Sequence, residues 1–165
     1  MPQVIEISDG ICVYLAPIEA GEGRREAERA AVAQLAVAAM RYPCAISHRA
    51  DGSPYIEGAD AEISVSHSRR CAALAMSRRG RIGVDIEDIC RAGQLRRVAP
   101  RVLTEAEMAV YGCDDEGLLR AWTLKEAAYK AVAGAPADMR DIALPHGTDT
   151  HIIYIKTRTG TAAAE

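Results

Sequence analysis

The sequence predicts an α+β fold of two similar small lobes, related by a pseudo-twofold, with the functional site in the cleft between them. Three observations point there. Short β-type runs bounded by turn residues occur toward both ends of the chain, an alanine-rich helical stretch fills residues 21–41, and strand material, helix and paired strands recur in that order after residue 79. Blocks of period two and period 3.6 that follow one another are the mark of a mixed chain. The expected lobes are 1–78 and 79–165, packed as one compact unit. A chain of 165 residues buries roughly two thirds of its unfolded surface and needs no metal or disulfide staple to fold.

Each element has its own signal. VIEI (4–7) and ICVYLA (11–16) flank Asp9-Gly10, a two-residue hairpin turn. Residues 21–41 are charged early and apolar late, with Arg24, Arg25 and Arg29 grouped in the first turns and Pro43 ending the helix. A loop around Asp51-Gly52-Ser53-Pro54 leads to strand-like runs at 62–66, 71–77 and 82–87. Thr104-Glu105-Ala106-Glu107 has capping-box spacing and opens a short helix to about Tyr111; a second helix runs from 115 to 132 and ends at Gly134 and Pro136. Two final strands, 141–144 and 151–156, and a loose tail complete the chain.

Composition narrows the function classes. Hydrophobic residues make up 49% and charged residues 26%, an ordinary globular balance, and with no Phe and one Trp the core must be aliphatic. Five cysteines, odd in number and without a C-x-x-C pair, read as reduced core residues of a cytoplasmic protein. The N-terminus has no leader pattern, and the longest apolar stretch, 30–40, is too short to span a bilayer. Nucleic-acid binding is disfavoured, because the net charge is −3 and the basic residues are not interleaved with aromatics. The charge is nonetheless uneven: nine arginines lie between Arg69 and Arg101, against Asp85, Glu87 and Asp88 alone.

Those acids belong to GVDIEDI (83–89). In a strand, alternation puts Asp85 and Glu87 on one face and Val84 and Ile86 on the other, and two same-face carboxylates repel unless a cation lies between them. In WTLKEAAYK (122–130), Trp122, Lys125, Glu126, Tyr129 and Lys130 share an arc of about 140° on a helical wheel. Glu126 and Lys130 could be no more than a favourable i,i+4 pair. Together with Asp85 and Glu87, however, Glu126 would complete an all-oxygen site of the kind Mg²⁺ takes, with lysines beside it to hold a pyrophosphate. ISVSHSRR (63–70) groups hydroxyls, an imidazole and guanidiniums at a strand end, near Arg49 and the Gly52-Ser53-Pro54 loop, as a phosphate-binding edge does.

With these motifs in register, Gly52-Ser53-Pro54 with Ser66-His67-Ser68, Gly83 to Glu87, and Trp122 to Ala131, the chain resembles the 4′-phosphopantetheinyl transferases, Sfp-type branch, over residues 49–132. The resemblance implies transfer of 4′-phosphopantetheine from coenzyme A to a serine of an acyl or peptidyl carrier protein, Mg²⁺-dependent (Mn²⁺ a substitute), with release of 3′,5′-ADP. It implies Asp85, Glu87 and Glu126 as metal ligands and Glu126 and Lys130 as catalytic residues. Arg49, Ser66, His67, Lys125 and Lys130 would contact coenzyme A. Ser53 departs from the lysine common at its position, so that one phosphate contact is either lost or moved to Arg49. The acidic carrier would dock at Arg91, Arg96, Arg97 and Arg101, and the chain is long enough to act as a monomer. Two alternatives stay open: a silent relative that binds coenzyme A or carrier without transfer, and a Mg²⁺-dependent phosphohydrolase.

Overall fold

The computed structural model describes residues 2–19, 23–132 and 138–144. Gly10 adopts φ 77°, a conformation open to glycine, and turns β1 (Gln3–Ser8) back on β2 (Ile11–Pro17) with Gln3 opposite Leu15 and Ser8 opposite Ile11. β5 (Glu62–His67) and β6 (Cys71–Ser77) form a second hairpin, and β2 pairs with β6. The sheet is antiparallel throughout, in the order β1-β2-β6-β5.

The central strands β2 and β6 read as continuous apolar runs because both faces of the sheet are covered. On one face α1 (Arg24–Met40) packs Ala31, Leu35 and Ala36 against Tyr14, Ala16, Ile63 and Leu74. On the other, Val84 and Ile86 cover Val13, Leu15, Ala73 and Ala75. Leu35 and Leu74 are fully buried, each contributing about 2 kcal/mol of transfer free energy. A separate helical layer consists of α2 (Ala92–Val98), α3 (Glu105–Tyr111) and α4 (Asp115–Ala131), packed through Leu103, Leu118, Ala121 and Leu124. The capping box forms as expected: the Glu107 N–H donates to Thr104 Oγ1 at 3.2 Å and the Thr104 N–H to Glu107 Oε2 at 2.8 Å.

The α+β class is therefore what the chain adopts, with corrections to individual elements. Residues 81–88 form no strand. The Val84 N–H donates to Ser64 Oγ (3.1 Å) and the Ile86 N–H to Ser66 Oγ (3.3 Å), so side-chain hydroxyls take the place of a partner strand's carbonyls. The loop at 51–54 is the turn of a short hairpin, β3 (Ile46–His48) with β4 (Pro54–Ile56), and α2 arises where no element was expected. Residues 142–144 are irregular after a 3₁₀ turn at Met139–Asp141; the second expected strand, 151–156, lies outside the described residues, as do Gly134 and Pro136. All five cysteines are free, but none is fully buried, and Cys90 and Cys113 are exposed. No helix among the described residues is long and apolar enough to cross a membrane.

One glycine sets how the 81–88 segment meets α4. A Cβ at Gly83 would lie 1.8 Å from the Ala127 carbonyl oxygen and 3.1 Å from the Ala131 nitrogen. Backbone thus touches backbone here, and neither side can give way by a rotamer change. Gly83→Ala should cost about 1–3 kcal/mol or more through overpacking, read as a lowered denaturation midpoint. A midpoint equal to that of the unaltered protein would mean the helix can slide away at no cost.

Candidate active site

Alternation within residues 84–87 turns Val84 and Ile86 into the sheet and Asp85 and Glu87 the other way, toward α4. Asp85 is gripped from two sides. Ser66 Oγ donates to its Oδ1 at 2.7 Å, and Lys130 Nζ, from the last turn of α4, reaches the same oxygen at 2.8 Å and the Val84 carbonyl at 3.1 Å. Lys130 therefore bridges helix and segment and bonds to Asp85; no bond from it to Glu126 forms. The Glu87 carboxylate accepts the Asp88 N–H at 3.0 Å and pairs with Arg91. Asp88 has a different task. Buried, it accepts the Arg69 N–H (3.0 Å) and the Arg70 guanidinium (3.2 Å), pinning the β5–β6 turn to the segment.

Glu126 faces these acids from α4, half-buried, with neither a hydrogen bond nor an ion pair among the described residues. Burial pushes its carboxyl above the usual range, the charges of Asp85 and Glu87 push it further, and Lys130 opposes them. Glu87 is likewise raised, first by burial and then by Asp85 and Asp88, against the pull of the Asp88 N–H and Arg91. As they stand, no three His, Cys, Asp or Glu side chains among the described residues are drawn close enough to cage an ion. The chemistry of the donor set nevertheless fits a hard divalent cation: three carboxylates in mutual repulsion, one of them unpartnered. Bound there, Mg²⁺ would neutralise charge on a pyrophosphate.

Beside this cluster, along the edge strand β5, lies a cleft of about 930 Å³ between the first turns of α1 and the end of α4. His67 and Lys130 line it, with Arg25, Arg29, Arg81 and Tyr129. His67 Nδ1 stands 3.7 Å from Glu28 Oε1. Of these basic residues the sequence singled out only His67 and Lys130 for the site. The four-residue spacing of Arg25 and Arg29, which puts both on one helical face, was the available signal for the others.

Three expected ligand contacts are placed elsewhere. Ser66 is buried and its hydroxyl is committed to Asp85 and the Ile86 N–H. Arg49 does not line the cleft: its guanidinium is tied to Glu62 (3.0 Å), Ser53 Oγ (3.3 Å) and the Pro54 carbonyl (3.3 Å), and lies 5.3 Å from the Tyr55 ring centroid. Ser53 itself donates to Asp51 Oδ1 at 2.6 Å. Lys125 is fully buried, its ammonium bonded to Glu107 Oε1 (2.9 Å), the Met139 carbonyl (3.2 Å) and the Ile142 carbonyl, so it does not join Lys130.

The Lys125–Glu107 pair is an internal rivet. Burial alone would raise the Glu107 carboxyl, but bonds from Lys125 and the Thr104 and Leu144 N–H groups bring it below its usual range. A depressed value adds stability above the ordinary glutamate range and loses it as pH falls through the folded value. Lys125→Met should destabilise by about 3–5 kcal/mol because it strands a buried carboxylate, whereas the double variant Glu107→Leu/Lys125→Met should regain most of that loss. Equal melting of the single and double variants would show that no coupled pair exists.

A sequence profile described as the 4′-phosphopantetheinyl transferase superfamily matches residues 81–163, which contain Asp85, Glu87, Glu126 and Lys130. No curated protein matches the chain at a significant level. Half of the sequence carries the match, and it begins where the acidic segment begins: the chain belongs to the 4′-phosphopantetheinyl transferase superfamily, whose reaction is transfer of a phosphopantetheinyl group from coenzyme A.

Proposed function

We propose that this protein transfers the 4′-phosphopantetheine arm of coenzyme A to a serine hydroxyl of an acyl or peptidyl carrier protein, in the manner of the Sfp-type branch. The observation that carries the reading is the bridge of Lys130 to Asp85, which holds α4 and its unpartnered Glu126 over the acidic segment at the cleft edge. Asp85, Glu87 and Glu126 would hold Mg²⁺ or Mn²⁺, which supplies positive charge at the pyrophosphate. Lys130 lines the cleft and would turn from Asp85 toward phosphate oxygens. His67, Arg25, Arg29 and Arg81 would receive the remaining coenzyme A phosphates. Glu126 would also help to deprotonate the incoming serine. In this reading Ser66 orients Asp85, Lys125 positions α4, and Arg49 supports the loop at Ser53.

The products are holo carrier protein and 3′,5′-ADP, and the protein acts as a cytoplasmic monomer. The carrier docks on the α2 region. Arg97 and Arg101 are exposed there without an ion-pair partner among the described residues, Arg96 is shared with Asp115 (2.8 Å), and Arg91 with Glu87. Charge on such a surface raises the encounter rate and makes it salt-sensitive.

Incubation with coenzyme A, Mg²⁺ and a panel of apo carrier proteins should add one phosphopantetheine mass to at least one carrier. Binding without any mass gain would support the silent relative, and nucleotide release without carrier would support a hydrolase. Glu126→Gln should lower turnover by about 100-fold or more and should raise the melting temperature of the metal-free protein. The sign follows from its raised carboxyl: a charged form disfavoured in the fold costs stability progressively as pH climbs from the ordinary glutamate range through the folded value. Full turnover in this variant would remove Glu126 from the chemistry. Reversing Arg96 and Arg97 to Glu should raise KM for the carrier about tenfold and leave that for coenzyme A unchanged; equal effects on both substrates would dismiss the docking surface.

A further inference from the structure

A second cleft, of about 630 Å³, lies at the other end of α1 and shares no lining residue with the first. Three arginines rim it. Arg78 and Arg79 follow β6, anchored by the Arg78 N–H to the Gly10 carbonyl (2.9 Å) and the Arg79 N–H to Ser77 Oγ (3.1 Å). Arg41 comes from the C-terminal cap of α1.

Arg41 is unusual in its backbone. At φ 62° and ψ 19° it is, among the described residues, the one non-glycine with positive φ. Glycine is the residue that ends a helix in this conformation without strain, since a Cβ there crowds the following carbonyl. The cap bond itself, from the Arg41 N–H to the Val37 carbonyl at 2.8 Å, needs no side chain. What an arginine adds is a guanidinium at the cleft.

All three arginines line one cleft. Tyr14, nine-tenths buried in the cleft floor, has its phenol raised by burial and by Cys12, while the charges of Arg41 and Arg78 both pull it down, so both lie within electrostatic range of one hydroxyl. The one carboxylate on the rim is Asp9, 3.6 Å from Arg79 and fully exposed to screening solvent. Arg41 and Arg78 are left with no carboxylate among the described residues. Met40 and Met76 add soft apolar surface to the lining.

We propose that this cleft binds a small organic oxyanion, a phosphate monoester or a carboxylate, with its head among Arg41, Arg78 and Arg79 and its apolar body on Met40 and Met76. Planar guanidiniums match both head groups in bidentate geometry. The site is independent of the transfer reaction.

The test is a titration of the full-length ¹⁵N-labelled protein with hexyl phosphate and, separately, hexanoate, followed by amide NMR at constant ionic strength against a sodium chloride control. Saturable shifts at Cys12, Tyr14, Arg41 and Arg78 are expected with one or both ligands, and the ligand that gives them identifies the head group. Arg41→Gly should keep or raise the melting temperature, because glycine relieves the backbone, and should weaken those shifts at least tenfold. Arg78→Ala should weaken them likewise without touching the cap. Absence of saturable shifts at these residues with both ligands, shifts matched by chloride alone, or unchanged affinity in both variants would overturn the proposal. Because the readout is local to these residues, failure of phosphopantetheinyl transfer would leave it standing, and its failure would leave the transfer reading standing.

Discussion

Everything the site can do depends on how tightly residues 81–88 are held between the sheet and α4. From below, Ser64 and Ser66 hold the Val84 and Ile86 N–H groups, while Val84 and Ile86 close the apolar face over Val13, Leu15, Ala73 and Ala75. From above, Gly83 lies directly on the helix backbone, where any Cβ would collide with the Ala127 carbonyl. Neither contact has slack, because a packed interior transmits a displacement and does not absorb it. Asp85 therefore has little freedom relative to Glu126, although they stand 41 positions apart in the chain.

This arrangement gathers negative charge at a cost. Burial and mutual repulsion raise Glu87 and Glu126, and the fold offsets part of the penalty with three cations or donors: Lys130 and Ser66 on Asp85, and Arg91 on Glu87. The relief is incomplete at Glu126. Its carboxyl stays raised, because burial and the Asp85 charge outweigh the opposing pull of Lys130. The superfamily match, which starts at residue 81, covers this acidic segment and the helix above it.

Much of this was legible in the sequence, for local reasons. The Asp9-Gly10 hairpin, the capping box at Thr104 and the extents of α1 and α4 rest on interactions between near neighbours, and each formed. Less legible was whatever depends on distant partners. Residues 82–87 carry a strand's alternation, but β5 meets them with serine hydroxyls, so the pattern produced the correct facing of Asp85 and Glu87 without producing a strand. The hairpin of β3 and β4 has three residues on each side, too few for periodicity to register. The sequence groups Arg49 and Ser66 as a phosphate-binding edge, yet in the fold Glu62 and Asp85 claim them, and no spacing rule reveals which acid arrives first.

The two lysines of α4 show how the remaining ambiguity arose. At about 100° per residue, Lys125 and Lys130 are the two extremes of the polar arc, about 140° apart, with Trp122, Tyr129 and Glu126 between them. An arc that wide cannot face one neighbour. One margin must turn toward the helical core and the other toward the cleft, and the sequence of α4 alone does not say which. The deciding residue is Glu107, which lies in another helix and is placed by its own capping box: one carboxylate oxygen takes the Thr104 N–H, so the other is presented to Lys125. Once Lys125 is drawn into that pair, Glu126, the next residue, is rotated to the half-buried margin, and Lys130, four residues beyond it, comes to lie over Asp85. A buried ion pair at one margin of the helix thus sets which carboxylate faces the acidic segment and which amine reaches Asp85 and the cleft.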